Sequence, residues 1–478
     1  MKKIFVFILI FLIFLFSNAY VASKRNMKIN EEEEIRGVYI SYLEYLTYFQ
    51  NNAVAINKAY INKMLDNIKS LNFNTIFLHV SPFSDSIYDS RIFPYSYTLS
   101  GQEGKNPGMD YLEYFIKESK KRNIKIHAWI NPYRISNESD TSLLSKDNPA
   151  YTLIDSNAVK ITDSGIYYNP ASPKVIDLIL KQVYEIISNY DIDGIHFDDY
   201  FYVDLEIDQE NYQKYLTENG NISLLDYRLK ITNTMIKNVY QLIKDYNPDI
   251  LFSISPDGNI ENNYKYHFAD VKTWLLESGY VDIIMPQVYY GFENEYKPFK
   301  ETLDAWHSLI QNDVKIVPVL AFYKVGLEDS NAGSGQDEWL QNDNLIARQI
   351  NYSKTLKNYE GVTLFRYDFL FTLFYKKKKG TYYYDYVVDY VYSTLGIVFC
   401  SLIFCLLLGY SIATLQILNT NGVLTDNLIL TIILFILPII PSCFLVYVVT
   451  IYVKNLKRKQ KLDEAIAQTE VELKKKNS

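Results

Sequence analysis

The chain has 478 residues, 44 of them Tyr, and 48 Lys plus Arg stand against 55 Asp plus Glu for a formal net charge of −7. That mild acidity gives no reason to expect a nucleic-acid partner, which needs a basic face, and the length suits one large domain or two ordinary ones with attachments. The three cysteines, Cys400, Cys405 and Cys443, all lie in apolar C-terminal runs. The rest of the chain therefore has no disulfide or Cys-based metal site to draw on, and must be held together by its core.

In chain order, residues 1–19 carry a positive start, an apolar stretch from Ile4 to Phe16, and small residues at Ser17 and Ala19. That pattern predicts a signal peptide or signal anchor, followed by a linker over residues 20–34. A barrel domain is expected over 35–375 and a second linker over 376–395. The runs 396–418 and 428–453 are each long enough to cross a bilayer; Pro438 and Pro441 predict a kink in the second. Residues 454–478 form a basic tail. A working signal places the barrel on the extracytoplasmic side of a cell membrane, with lipid met through the spans. The tail and Lys376 to Lys379 pull the other way, since lysines favour the cytoplasmic face.

Between the ends, strand-like apolar runs alternate with helical patterns. The strand candidates are Ile35–Ser41, Asn74–Pro82, Lys125–Arg134, Asp193–Tyr200, Ile250–Gly258, Val281–Gly291, Val314–Lys324 and Gly361–Phe369. Segments such as YINKMLDNIKSL and KVIDLILKQVYEIISNY between them repeat apolar residues at helical spacing. Eight strands with intervening helices predict an α/β fold, an eight-fold (β/α) TIM-type barrel with enlarged loops, followed by the two C-terminal membrane helices. A doubly wound open sheet is the alternative, but no glycine-rich nucleotide motif is present. No cofactor is indicated.

The polar clusters HVSP, NPYR, DDYFY, SPDG, PQVYYG and RYDF fall at the C-terminal ends of their apolar runs. In a barrel these ends share the face where active sites form. Strand alternation turns Gly194, His196 and Asp198 to the axis and Ile195 and Phe197 outward. It groups His127, Trp129 and Asn131 on the third strand, His79 with Ser81 on the second, and Gln287 with Tyr289 on the sixth. Acids amid amides, histidines and aromatic rings suit polyhydroxylated rings, whose faces stack and whose hydroxyls hydrogen-bond. Asp198 is expected as the ionised partner, Asp199 as a proton donor or an orienting group, and Asp257 as a second acid across the mouth; Glu293 and Glu295 are further options. His79, Trp129, His196, Tyr200 and Arg366 join as substrate-binding candidates. No metal is expected, because the histidines lack HxxxH or HExxH spacing. Arg36 and Arg366 need partners where they stand. Asp226 and Arg228 are expected to open a helix that supports the site from outside.

From about Glu34 to Phe371 the chain resembles the glycosyl hydrolase-like 10 family of bacterial proteins. The segments EEIRGVYIS, GKNPGMDYLEYF, IKIHAWINPYR, YYNPASPKV, YDIDGIHFDDYFY, LLDYRLKITNTMI, ISPDG and VDIIMPQVYY follow the family's order. The resemblance implies a barrel, a glycosidase role and a polysaccharide substrate, with bacterial peptidoglycan glycan strands as the leading class. It carries functional roles to Arg36, His127, Asn131, Asp198, Asp199, Gln287 and Tyr289. Val203 departs from the family's usual Pro and Tyr290 from its common Trp. DGIHFDDY also resembles the DGxDxDxE strand of chitinase-type barrels, with Tyr200 in place of the catalytic Glu; a substrate-assisted mechanism with Glu at that position is not available unchanged. Glycoside hydrolysis by two carboxyl groups is therefore the expected function. The rival readings are a non-catalytic carbohydrate-binding protein and an envelope-assembly protein on the same barrel. No obligate protein partner is evident.

Overall fold

The computed structural model describes residues 34–199 and 201–371. The expected signal, both expected membrane spans, the basic tail and Tyr200 lie outside the described residues. Among the described residues no helix is long and apolar enough to cross a membrane.

The parallel strands are β1 (Ile35–Ile40), β2 (Thr75–Ser81), β3 (Lys125–Ile130), β4 (Gly194–Phe197), β5 (Leu251–Ile254), β6 (Ile283–Ile284), β7 (Lys315–Ile316), β8 (Val319–Leu320) and β9 (Gly361–Leu364). They pair in the order β7-β6-β5-β4-β3-β2-β1-β9-β8. The two ends of that order, β7 and β8, are pieces of one chain run interrupted at Val317 and Pro318. The run bonds on both sides: Val317 and Val319 donate to the carbonyls of Ile284 and Pro286, and Pro318 accepts from Thr363 N–H. The sheet thus curls in the manner of a TIM barrel.

The late strands are far shorter than their apolar runs suggest. Proline supplies no N–H, so Pro256, Pro286 and Pro318 break the regular ladder of three successive strands. Their carbonyls still accept, from Gln287, Val319 and Thr363 respectively. The expected third strand also ends early, at Ile130. Arg134 instead opens a three-stranded antiparallel ribbon with Val159–Thr162 and Gly165–Tyr168. This ribbon is part of an enlarged loop on the mouth side of β3.

Two apolar layers hold the wall. Inside, Tyr39, Phe77, Trp129, Ile283, Met285, Val317 and Val319 pack together. Outside, Ile195 and Phe197 join the sheet–helix core. The helix α1 (Val54–Ser70) buries Ile61, Met64, Leu65 and Ile68, and α2 (Pro173–Asn189) buries Val175, Ile179, Val183 and Ile186. Spacings of three and four keep each set on one helix face, and each fully buried aliphatic side chain contributes about 1.5–3 kcal/mol. The long α3 (Leu224–Tyr246) starts at Ser223, whose hydroxyl accepts from Asp226 N–H at 3.0 Å and donates to its carboxylate at 2.7 Å. Local sequence thus sets where this helix begins.

Candidate active site

Four strand ends and the loops after them build the mouth. Asp198 follows β4 and is 5% exposed. It and Asp199 both act electrostatically on the hydroxyls of Tyr39 and Tyr289, which are held protonated chiefly by burial, with smaller contributions from these two acids and, at Tyr289, from Tyr39 and Tyr323. Asp198 therefore faces the interior side of the wall, as alternation predicts.

Asp199, Asp257, Gln287, Tyr289 and Tyr290 line a cavity of about 320 Å³. Asp199 keeps an edge on this cavity, yet the surrounding walls strip it of water. That desolvation pushes its carboxyl upward, and Asp257 adds to the rise. His267 and the Gln287 amide pull the other way without cancelling it. Gln287 is held in turn by a 2.9 Å bond from its Nε2 to the Ser255 carbonyl. Gly258 permits the approach of these strands: a Cβ there would stand 2.2 Å from the Gln287 carbonyl oxygen.

Asp257 behaves oppositely. Burial alone would raise it, but the neighbouring His267 and hydrogen bonds from Asn259 N–H and Asn262 outweigh burial and lower it. The two oxygens accept from Asn259 N–H at 2.7 Å and Asn262 Nδ2 at 3.1 Å, and His267 Nε2 stands 3.7 Å from Oδ2. Burial pulls His267 down, but Asp257, Asp199 and Asp198 together raise it above its ordinary value. The mouth therefore combines a carboxyl biased to stay protonated, a carboxylate biased to stay ionised, and a histidine biased to carry charge.

Sequence reasoning missed His267. It ends a short helical turn, Asn263–His267, in the segment after β5, outside every strand pattern, and a lone histidine there carries no motif. It also missed Asp208, 0% exposed, which meets Arg228 at 2.9 and 2.7 Å. Arg228 stacks on Phe268 at 4.7 Å, next in chain to His267. Asp226 and Arg228 do open the helix α3, as expected, but Asp226 is exposed and bonds back to Ser223, so of the two Arg228 alone packs towards the mouth. A further buried acid, Asp85 on the loop after β2, is pushed up to about 7 by burial. It accepts from Phe83 N–H at 3.0 Å and is not among the residues that line the cavity.

The histidines expected to touch substrate are instead interior groups. His196 is 0% exposed and takes up Ser253 Oγ at 2.8 Å, Tyr39 Oη at 3.0 Å and Ser255 Oγ at 3.2 Å. His79 stacks on Trp129 with centroids 3.6 Å apart. His127 lies against Gly194, where a Cβ would meet its ring at 2.5 Å. Burial lowers all three, His127 to about 3. Alternation gave their direction correctly but not their depth: a barrel interior is a packed core, and these rings are buried in it. Among the described residues no group of His, Asp and Glu is arranged to hold a metal.

Other expected residues are redistributed. Trp129 donates to Asn131 Oδ1 at 3.2 Å, and both are buried; Asn131 Nδ2 finds no partner. Ser81 does not share a side with His79. A register shift separates them, and Ser81 accepts from Gln182 of α2 at 2.7 Å. Arg36 sits near the N-terminal end of β1, away from the mouth, where its guanidinium donates to the carbonyls of Asn72 at 2.6 Å and Glu34 at 3.3 Å. Arg366 pairs with Glu44, which is 0% exposed. Both arginines therefore serve the frame, because a charge in a barrel wall must be compensated. Glu293 and Glu295 are also outside the cavity lining; Glu295 accepts from Ser334 N–H at 2.8 Å.

The His267–Asp257 pair has a defined pH signature. His267 is raised, so its contribution to stability is full below its ordinary 6.5 and fades as pH rises through the folded value. Asp257 is lowered, so its contribution is full above its ordinary 3.8 and fades as pH falls through the folded value. The stability gap between the wild-type chain and His267→Gln is therefore widest between these ordinary values and narrows as pH rises through the raised folded value of His267. Urea midpoints at stepped pH measure it, and a gap indifferent to pH rejects the charged pair.

Acids gathered at the C-terminal mouth of a TIM-like barrel, beside aromatic rings and amides, define the class of sugar-processing barrel enzymes. The family model of the glycosyl hydrolase-like 10 proteins matches residues 34–339, and the chain belongs to that family. It is 30% identical over 377 residues to the glycosyl hydrolase YngK of Bacillus subtilis, covering 73% of this chain and 72% of that protein. It is 29% identical over 376 residues to the glycosyl hydrolase DigH of Escherichia coli K12, covering 71% of this chain and 84% of that protein. Among solved structures, the glycoside hydrolase domain of PgaB (BpsB) from Bordetella bronchiseptica superposes with a TM-score of 0.50 at 12% identity, over 70% of this chain and 95% of that one; this likeness bears on the fold. The protein is a glycoside hydrolase, and its family implies a polysaccharide substrate.

Proposed function

We propose that the chain cleaves glycosidic bonds in bacterial cell-wall glycan, with Asp198 and Asp199 as the working acids. The observation that carries this reading is the opposed protonation bias at one mouth: Asp199 is desolvated and raised, beside an acid–histidine pair that stays charged. Asp199 and Asp257 are the two acids whose surroundings push them apart, as a proton donor beside a standing negative charge requires; Asp198 precedes the donor in the chain and is buried at the end of the same strand. In this reading Asp199 gives its proton to the leaving glycosidic oxygen. Asp198 supplies negative charge to the oxocarbenium-like ring until water adds at the anomeric carbon and returns a proton to Asp199, and His267 with Asp257 holds the surrounding field. Tyr289 and Tyr290 offer ring faces to the sugar, and Gln287 orients Asp199. Tyr290 retains an aromatic surface where the family commonly has Trp.

The same reading makes the chain an exported protein, tethered at the cell membrane by the spans at 396–418 and 428–453, with its barrel on the extracytoplasmic side. The apolar runs at both ends of the sequence support it. The test is incubation of the purified chain with peptide-stripped cell-wall glycan, followed by reducing-end and product analysis. New reducing ends are expected; binding without turnover would favour the non-catalytic carbohydrate-binding alternative.

A further inference from the structure

Resting on the glycan-hydrolase reading above, we infer that Phe268 is a positioning residue, clamped so that the adjoining His267 is held against the acids of the mouth. The clamp draws on both acid-bearing segments. Tyr202, three residues after Asp199, meets the Phe268 ring edge-on with centroids 5.0 Å apart, and the Arg228 guanidinium covers that ring at 4.7 Å. Asp208 fixes the guanidinium at 2.9 and 2.7 Å and lies 3.4 Å from the Tyr202 hydroxyl. Phe268 is buried between them. The loop after β4 and the segment after β5 are thus registered on one aromatic ring.

The backbone here is costly to hold. Asn263–His267 forms one wide turn, closed by the Phe268 N–H on the Asn263 carbonyl five residues back, a rare geometry that recurs at functional sites. Phe268 itself is left-handed, with φ +49° and ψ +35°. Helices often end in that conformation, but on Gly or Asn, because a Cβ is crowded there. An aromatic residue persists in it only where its surroundings over-determine it. The front of the turn is tied to the acid that His267 meets: buried Asn263 donates from Nδ2 to the carbonyls of Asp257 at 2.8 Å and Asn259 at 3.1 Å. His267 lies between these two fixed ends. Its Nε2 stands 3.7 Å from Asp257 Oδ2, beyond hydrogen-bond length, so the backbone sets the distance rather than a bond of the ring. The acids that act on it are Asp257 from its own segment, and Asp199 and Asp198 from the end of β4. Lys297 and Lys324 line the adjoining cavity, Lys324 in a pair with Asp329 at 2.7 Å, and Arg228 stands against the Phe268 ring.

The test follows His267 itself. In the full chain with isotope-labelled histidine, the imidazole resonances are titrated by NMR. The resonance of His267, one of five histidines, is identified by its loss in His267→Gln. The wild-type midpoint is expected above the ordinary 6.5. Phe268→Gly accepts the left-handed backbone and deletes the ring, so it should carry the midpoint back towards 6.5 as the imidazole drifts from the acids. The same variant should lower kcat on cell-wall glycan by roughly tenfold, with KM little changed. Phe268→Asn, the other residue type at ease in this backbone, decides the matter if the glycine variant does not fold. A wild-type midpoint at or below 6.5, or a midpoint unmoved in a folded Phe268 variant, overturns the inference, because a merely structural ring alters the melting point and leaves the titration alone. Hydrolysis by the wild-type chain is read separately. A midpoint that shifts as expected, with no cleavage by the wild type, defeats the glycan-hydrolase reading and leaves the clamp standing; cleavage with an unmoved midpoint does the reverse.

Discussion

Asp198→Asn is expected to lower glycan hydrolysis by at least about 10³-fold, on the order of 4 kcal/mol of transition-state stabilisation, with an unfolding midpoint close to that of the wild type. In the proposed mechanism the substitution conserves shape and removes the charge that the developing oxocarbenium ring would meet. Its neighbours explain why the charge matters. Tyr39, Tyr289 and His267 all sense Asp198 electrostatically, inside a mouth where desolvation strengthens such interactions. Asp199→Asn should also slow the reaction, but differently. In the proposed mechanism it removes the proton donor, so a substrate with a leaving group that needs no protonation recovers much of the rate. Reducing-end release on a natural glycan, compared with an activated aryl glycoside, separates the two roles. Full activity in Asp198→Asn would remove that residue from the chemistry.

The second large effect falls on folding. Arg228→Met should destabilise the barrel by roughly 3–5 kcal/mol, because it leaves Asp208 charged, buried and unpaired. The pair is enclosed on both sides, with side chains 3% and 0% exposed, and Tyr202 at 5.6 Å and Phe268 at 4.7 Å cover the guanidinium. Asp208→Leu added to Arg228→Met removes the orphaned charge and should recover most of the loss. Urea denaturation of the single and double variants measures both values. Recovery identifies the cost as an uncompensated charge; a double variant as unstable as the single one would assign it to lost packing over Phe268 instead.

By itself the sequence determined which segments form the wall and which way the fourth strand faces. Period-two alternation is a local property, and it separated Ile195 and Phe197 from His196 and Asp198 correctly. It also determined the starts of helices such as the one at Ser223, where a side chain next to the first turn decides the matter. Proline shortened three late strands without moving them from the wall, since the lost N–H removes one ladder bond while the carbonyl still accepts.

What only the tertiary structure decided was depth, partnership and state of charge. His79, His127 and His196 point inward, but a strand advances only about 3.3 Å per residue, so one or two residues separate a group at the mouth from one sealed in the core. Arg36 lies at the opposite end of its strand from the acids, and Ser81 turns outward after a register shift; no residue type reveals either. The pairing of Asp208 with Arg228, and of Asp257 with His267, joins segments that composition cannot rank. Protonation bias depends on the water excluded and the charges nearby, both set by segments far apart in the chain. Asp199 and Asp257 are the same residue type, yet the folded mouth raises one and lowers the other.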